Sequence, residues 1–214
     1  MTGKIITVAQ QKGGSGKTTL AAHLAVAGLG KKKTRVAILD VDPQGSLGEW
    51  FEAREMALGE EKTGLTFRTA SGWGARREAR SLARDFDYVI IDTPPKTDTD
   101  SRPAIEAADL VCIPIQPTHI DLWATDGTLS IAAKEDKIAL LIMNRVPPRA
   151  SLTAEIEAAM HEMNSRAAKA RLGNRTAFAK SMGTGRTVLE TMPSGKAAEE
   201  VAALAKEVFS QAGR

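Results

Sequence analysis

The chain of 214 residues contains a single cysteine, Cys112, which excludes an intrachain disulfide and any metal site built on several thiolates. Aromatic residues make up only 4% of the sequence, and the three tryptophans, Trp50, Trp73 and Trp123, stand in unrelated contexts. They form no stacking platform for bases, so packing in a core or an interface is their expected use. No apolar stretch approaches the roughly 20 residues that a bilayer span needs. Met1-Thr2-Gly3-Lys4 runs directly into an apolar segment, without the hydrophobic region and cleavage site of a secretion signal. Charge of one sign is scarce too: 29 Lys+Arg against 26 Asp+Glu leave +3 at neutral pH. A hydrophobic content of 43% excludes intrinsic disorder. Together these absences describe a soluble, cytoplasmic chain whose length suits one domain.

What is present is an alternation of short β-prone runs with longer helical patterns. That is the sign of an α/β fold, a doubly wound, mostly parallel sheet flanked by helices. Strands are predicted at Lys4–Ala9, Arg35–Leu39, Leu65–Thr69, Tyr88–Ile91, Leu110–Ile115 and Ile138–Met143. Helices are predicted at Thr18–Leu29, Ala75–Arg84, Asp121–Ala133, Leu152–Arg171 and Lys196–Gln211. No repeat or linker interrupts the pattern, which makes residues 1–214 one domain. Ligands of such sheets bind at the C-terminal ends of the strands.

Lys12-Gly13-Gly14-Ser15-Gly16-Lys17-Thr18-Thr19 lies between the first predicted strand and the first predicted helix. Glycines let successive N–H groups curve around phosphate oxygens, and the helix N-terminus adds its dipole. In this context Lys17 would reach the β- and γ-phosphates and the Thr18 hydroxyl would ligate Mg²⁺. Asp92 ends the Tyr88–Ile91 strand, where a carboxylate can hold the Mg²⁺ shell through water. Asp40 and Asp42 close another strand. Either Asp42 orients the attacking water with Asp40 nearer the phosphates or the metal, or both carboxylates cap the following helix.

The position that the general G-x-x-x-x-G-K-[ST] pattern gives to its first glycine is Gln11, followed by Lys12. This variant resembles the deviant Walker A motif of the ParA/MinD family. Asp40-Val41-Asp42-Pro43-Gln44-Gly45 is similar to that family's second motif, and Tyr88–Pro95 to its Walker B. The resemblance covers nearly the whole chain and is closest to small, stand-alone ParA-type partition ATPases. It implies a P-loop NTPase fold and ATP with Mg²⁺ as ligands. It also implies an ATP-bound sandwich homodimer in which Lys12 reaches the partner's phosphates, and a water-directing role for Asp42. By the same resemblance Asn144, Arg145 and Pro193 border adenine. Asp92–Asp100 is either a loop that senses the γ-phosphate, which its attachment to Asp92 favours, or an inert surface loop, which its Pro and polar content suits equally. With the first strand at Lys4, no room is left for an N-terminal helix-turn-helix extension, so no operator recognition is expected.

The resemblance leaves the cargo open. A partition ATPase would bind nonspecific DNA as its ATP dimer and associate with the nucleoid. A ParB- or ParG-like partner protein would then stimulate its hydrolysis. A related ATPase would position another cargo, such as an organelle or a chemoreceptor cluster. A MinD-like protein would bind membrane, and a remoter relative would serve a metal cluster. From Arg145 to Arg186 there are eight Lys and Arg residues against three Glu, an excess that suits a polyanion or, equally, a solvated helix face. ParA proteins use such residues on DNA phosphates, which makes Arg171, Arg175, Lys180 and Arg186 the candidates. On the C-terminal helix Val201, Leu204, Val208 and Phe209 share one face. Its charged residues include Glu199, Glu200 and Glu207 against Lys196 and Lys206, a balance that argues against anionic lipid.

Overall fold

The computed structural model describes residues 2–30, 33–95, 98–148, 151–163 and 165–213. Seven parallel strands form one sheet in the order β3-β2-β4-β1-β5-β6-β7. They are β1 (Lys4–Val8), β2 (Val36–Asp40), β3 (Leu65–Thr69), β4 (Tyr88–Asp92), β5 (Leu110–Ile115), β6 (Ile138–Met143) and β7 (Arg166–Ala167). The helices are α1 (Lys17–Gly28), α2 (Ser46–Leu58), α3 (Ala75–Asp85), α4 (Asp98–Ala107), α5 (His119–Trp123), α6 (Thr125–Lys134), α7 (Ser151–Glu162), α8 (Thr176–Met182), α9 (Val188–Thr191) and α10 (Lys196–Ala212).

The period of two along each strand sends alternate residues to opposite layers. Ile6, Ile38, Ile90, Leu110 and Leu140 meet Leu20 and Leu24 of α1 and Leu204 and Val208 of α10 in one core. On the other face Leu39, Val89 and Ile91 pack with α3, and Ile113, Ile115 and Leu141 pack with α6 and α7. Burial on both faces is why β1, β2, β4, β5 and β6 read as largely apolar runs, whereas β3 and β7 are partly exposed. Cys112 lies fully buried in the first core, a packing thiol whose pKa burial drives upward. The apolar face of α10 also belongs to that core: Val201, Leu204 and Val208 are buried, and Phe209 stacks obliquely on Tyr88 with ring centroids 4.4 Å apart.

Two helix predictions are corrected. The helix expected at Leu152–Arg171 stops at Glu162, and Arg166–Ala167 pairs with Leu140 and Leu141 as the edge strand β7. The sheet edge supplies backbone partners there, and the Glu207 carboxylate of α10 accepts the Lys169 and Ala170 N–H groups at 2.8 Å. The helix expected at Asp121–Ala133 is two helices, α5 and α6, meeting at Ala124, and α5 is capped by Thr118, whose side chain accepts the Asp121 N–H. Among the tryptophans, Trp50 is buried as expected, whereas Trp73 and Trp123 are 86% and 67% exposed. Of the Asp92–Asp100 segment, Lys96 and Thr97 lie outside the described residues and α4 begins at Asp98; Arg149 of the basic stretch lies outside them as well.

Candidate functional site

The site forms where β1, β2 and β4 end. Parallel register sets Val8 beside Asp92 and Asp40 beside Asp92, so three loops leave the sheet together. The first loop must enter α1 through left-handed backbone at Gly14 (φ +76°) and Gly16 (φ +92°). Gly16 is required twice over, because a Cβ there would lie 2.5 Å from the Asn144 amide nitrogen. At the N-terminus of α1 there is no side-chain cap and no acidic residue in the first turn. The positive end of the helix dipole and its free N–H groups therefore face the cleft.

Around this end the polar groups are buried and incompletely paired. Lys17 is 7% exposed; burial lowers its pKa, while the charges of Asp92 and Asp42 act in the opposite sense. The Thr18 hydroxyl donates to Asp92 Oδ2 at 2.6 Å. Asp92 is 1% exposed, and burial raises its pKa to about 7, aided by Asp40 and Asp42 and opposed by Thr18 and Lys17. Its Oδ1 has no hydrogen-bond partner, nor has the buried Ser15 hydroxyl. A hydroxyl and a carboxylate with an unsatisfied oxygen suit a hard cation such as Mg²⁺. Among the described residues no group of three or more His, Cys, Asp or Glu side chains is placed to hold a metal ion.

Asp40 and Asp42 part company here. Asp40 is buried, and its two oxygens accept the Asp42 and Gly48 N–H groups at 3.0 and 3.2 Å. It ties the loop before α2 to the sheet, although the N-cap of α2 is Gly45 and no side chain caps it; burial raises its pKa, against those two hydrogen bonds. Asp42 is half-buried at the cleft, where its Oδ1 accepts the Gln44 N–H at 2.9 Å. Lys12 does not point into the phosphate cleft. Its ammonium pairs with Asp121, which is fully buried, accepts the Thr118 hydroxyl at 2.5 Å and retains an unpartnered Oδ1.

Two adjoining hollows share Gly16, Thr19 and Arg145. One, of about 630 Å³, lies along Lys17, Thr18, Asp42 and Trp50. The other, of about 340 Å³, is walled by His23, Asn144, Arg175 and Phe178. Asn144 donates to the Ser15 carbonyl at 2.8 Å, so it braces the glycine loop as well as bordering the second hollow. Pro193 lines neither; it sits exposed in the turn between α9 and α10. Gln116, which sequence reading did not single out, donates to the Gly14 carbonyl at 3.0 Å; a lone Gln after a strand carries no pattern that would mark it.

The basic candidates do not form one free patch. Arg171 pairs with Glu157 at 3.0 Å, and Arg175 holds Glu200 through two bonds of 3.0 and 2.6 Å. Lys180 is exposed on α8, and Arg186 is half-buried with its carbonyl held by Trp50.

A parallel sheet, a glycine loop at an uncapped helix and a Thr–Asp pair beside a buried lysine define a P-loop nucleotide-binding protein. Residues 6–188 match the profile of the CobQ/CobB/MinD/ParA nucleotide binding domain, and the chain belongs to that family. It is 26% identical over 212 residues to the maintenance of carboxysome distribution protein A of Halothiobacillus neapolitanus, covering 95% of each chain. To the chromosome-partitioning ATPase Soj of Thermus thermophilus it is 27% identical over 240 residues, covering 96% of this chain and 95% of that one. Among solved structures, the septum site-determining protein MinD of Pyrococcus horikoshii, complexed with Mg-ADP, superimposes with a TM-score of 0.82 at 22% identity. That alignment covers 98% of this chain and 97% of that one. No helix among the described residues is long and apolar enough to cross a membrane.

Proposed function

We propose that the protein is a Mg²⁺-dependent ATPase that works as a nucleotide switch: its ATP-bound homodimer binds DNA without sequence preference and positions a cargo. The observation that carries this reading is the buried Thr18–Asp92 pair, with its unsatisfied oxygen, at the uncapped N-terminus of α1 beside Lys17. Bound there, Mg²⁺ would neutralise phosphate charge. Lys17 and the glycine-loop N–H groups hold the β- and γ-phosphates, Thr18 and Asp92 hold the ion, and Asp42 orients the attacking water. The adenine occupies the hollow bordered by Asn144 and Arg145, and Asp40 acts indirectly by holding the Asp42 loop.

For Lys12 to reach a partner subunit it must leave Asp121, which makes dimerisation conditional on what the second nucleotide offers in exchange. On the DNA side, Lys180 and Arg186 carry more of the proposal than Arg171 and Arg175. Exposed ion pairs such as Arg171–Glu157 are worth little, however, and phosphate can displace them. Hydrolysis is completed by a ParB- or ParG-like partner protein, and in the ATP state the protein lies on the nucleoid.

Plasmid or chromosomal DNA is the first cargo, in keeping with Soj. A second reading, positioning of an organelle, is favoured by the full-length similarity to a carboxysome distribution protein. The test is binding to random duplex DNA with ATP, ADP or no nucleotide across a salt series, beside ATP turnover with and without Mg²⁺. ATP-dependent binding that weakens steeply with salt, with turnover abolished by Lys17→Ala, is expected. Turnover without DNA binding would remove the DNA-based reading and leave the ATPase.

A further inference from the structure

Behind the phosphate cleft, α2 and α1 both grip the short segment Gly185–Glu190, which carries Arg186. Trp50 of α2 lines the phosphate cleft and is 4% exposed, and its indole N–H donates to the Arg186 carbonyl at 3.3 Å. One turn on, Arg54 is 3% exposed. Its guanidinium stands 5.6 Å from the Trp50 ring centroid and donates to the carbonyls of Gly185 (3.2 Å) and Thr63 (3.0 Å). It also pairs with Glu190 at 2.8 Å. Glu190 in turn accepts the Thr187 N–H at 2.8 Å, closing a capping box at the start of α9.

Contact is direct as well as polar. Gly185 has φ +65°, and a Cβ there would overlap the backbone of Ala53 and Arg54. From the other side, His23 of α1 accepts the Val188 N–H at 3.2 Å, one turn after the Thr18–Thr19 pair of the glycine loop. The two helices that begin at the phosphate cleft, α1 after Gly16 and α2 after the Asp42 loop, therefore meet on the same six residues.

We infer that Trp50 and Arg54 are positioning residues that convey occupancy of the phosphate cleft to the Gly185–Glu190 segment, and so set the presentation of Arg186. The inference rests on the reading of Arg186 as a DNA contact only for its consequence; the linkage itself concerns the cleft and the segment. A buried arginine with four partners leaves the segment little freedom to stay behind when α2 shifts with its loop. The indole bond is the gentlest place to cut, because phenylalanine retains the buried ring and removes only the donor.

The test is hydrogen exchange of the Gly185–Val188 amides in the full chain, without nucleotide and with Mg-ADP or Mg-ATP. All four have acceptors in this structure: Met182 and Ser181 carbonyls, Glu190 and His23. Their exchange should change about tenfold between the nucleotide-free and Mg-ATP states. In Trp50→Phe, measured with the site saturated by Mg-ATP, that change should shrink to within about twofold. Arg54→Lys, which keeps the charge and loses the fork, provides a second cut should the first variant misfold.

DNA affinity measured alongside separates the two ideas. A nucleotide-dependent change at these amides that Trp50→Phe abolishes supports the linkage even if no DNA is bound, and it is then the DNA reading that fails. An unresponsive segment in the parent chain, or a response intact in both variants, overturns the linkage even if DNA binding depends on ATP.

Discussion

His23 tests whether the tie between α1 and α9 has the energetics that its geometry implies. The ring is 1% exposed, lies 2.7 Å from the Thr19 carbonyl through Nδ1 and accepts the Val188 N–H at Nε2, an arrangement that requires the neutral Nδ1–H tautomer. Burial lowers its pKa from 6.5 to about 4, against the Thr19 hydrogen bond and the charge of Glu190. Between those values the unfolded chain binds the proton and the folded chain does not. The contribution to stability is therefore whole above pH 6.5 and is lost as pH falls through the folded pKa. Linkage puts the loss at about 2 kcal/mol by pH 5 and about 3 kcal/mol by pH 4. For a chain of this size, 2 kcal/mol corresponds to a Tm lower by roughly 4–8 °C.

The comparison variant is His23→Gln, which cannot titrate. It should be less stable than the parent at pH 7 by about 1–3 kcal/mol, for the disrupted buried hydrogen bonds. That gap should close as pH falls to 5, because carboxylate titrations common to both proteins cancel in the difference. Denaturant unfolding at pH 7, 6 and 5 measures it, and NMR titration of the imidazole gives the pKa directly. A gap that stays constant with pH, or an imidazole that titrates near 6.5, would refute the reasoning.

Three further outcomes follow from the site. Asp121→Asn removes the buried carboxylate that holds Lys12, so the ATP-dependent dimer should form at about tenfold lower protein concentration by analytical ultracentrifugation; an unchanged or weaker dimer counts against the latch. Gly16→Ala pushes on Asn144 and strains a left-handed residue, and should weaken ATP binding at least tenfold by calorimetry; a neutral result would mean that the loop adapts. Asp42→Ala should bind ATP within about threefold of the parent while turnover falls roughly a hundredfold or more, as expected when a water-positioning group is lost; near-normal turnover would remove Asp42 from that role.

The sequence by itself determined the central strands β1, β2, β4, β5 and β6, because burial on both faces demands apolar runs, and the phosphate loop, because glycines adopt positive φ at least cost. The helix α2 was not among the predicted elements: Leu47, Trp50 and Phe51 make its buried face, but the next position on that face holds Arg54, a charge where the period calls for an apolar residue. Tertiary structure alone decided what those polar residues do. Arg54, His23, Asp121 and Gln116 find partners from 9 to 165 residues away, and no local pattern encodes a contact at that separation. Likewise Arg166–Ala167 continues a helical pattern and becomes a strand only because β6 offers it an open edge. The free energy of a buried hydrogen bond depends on its partner's position, and that position exists only once the chain has folded.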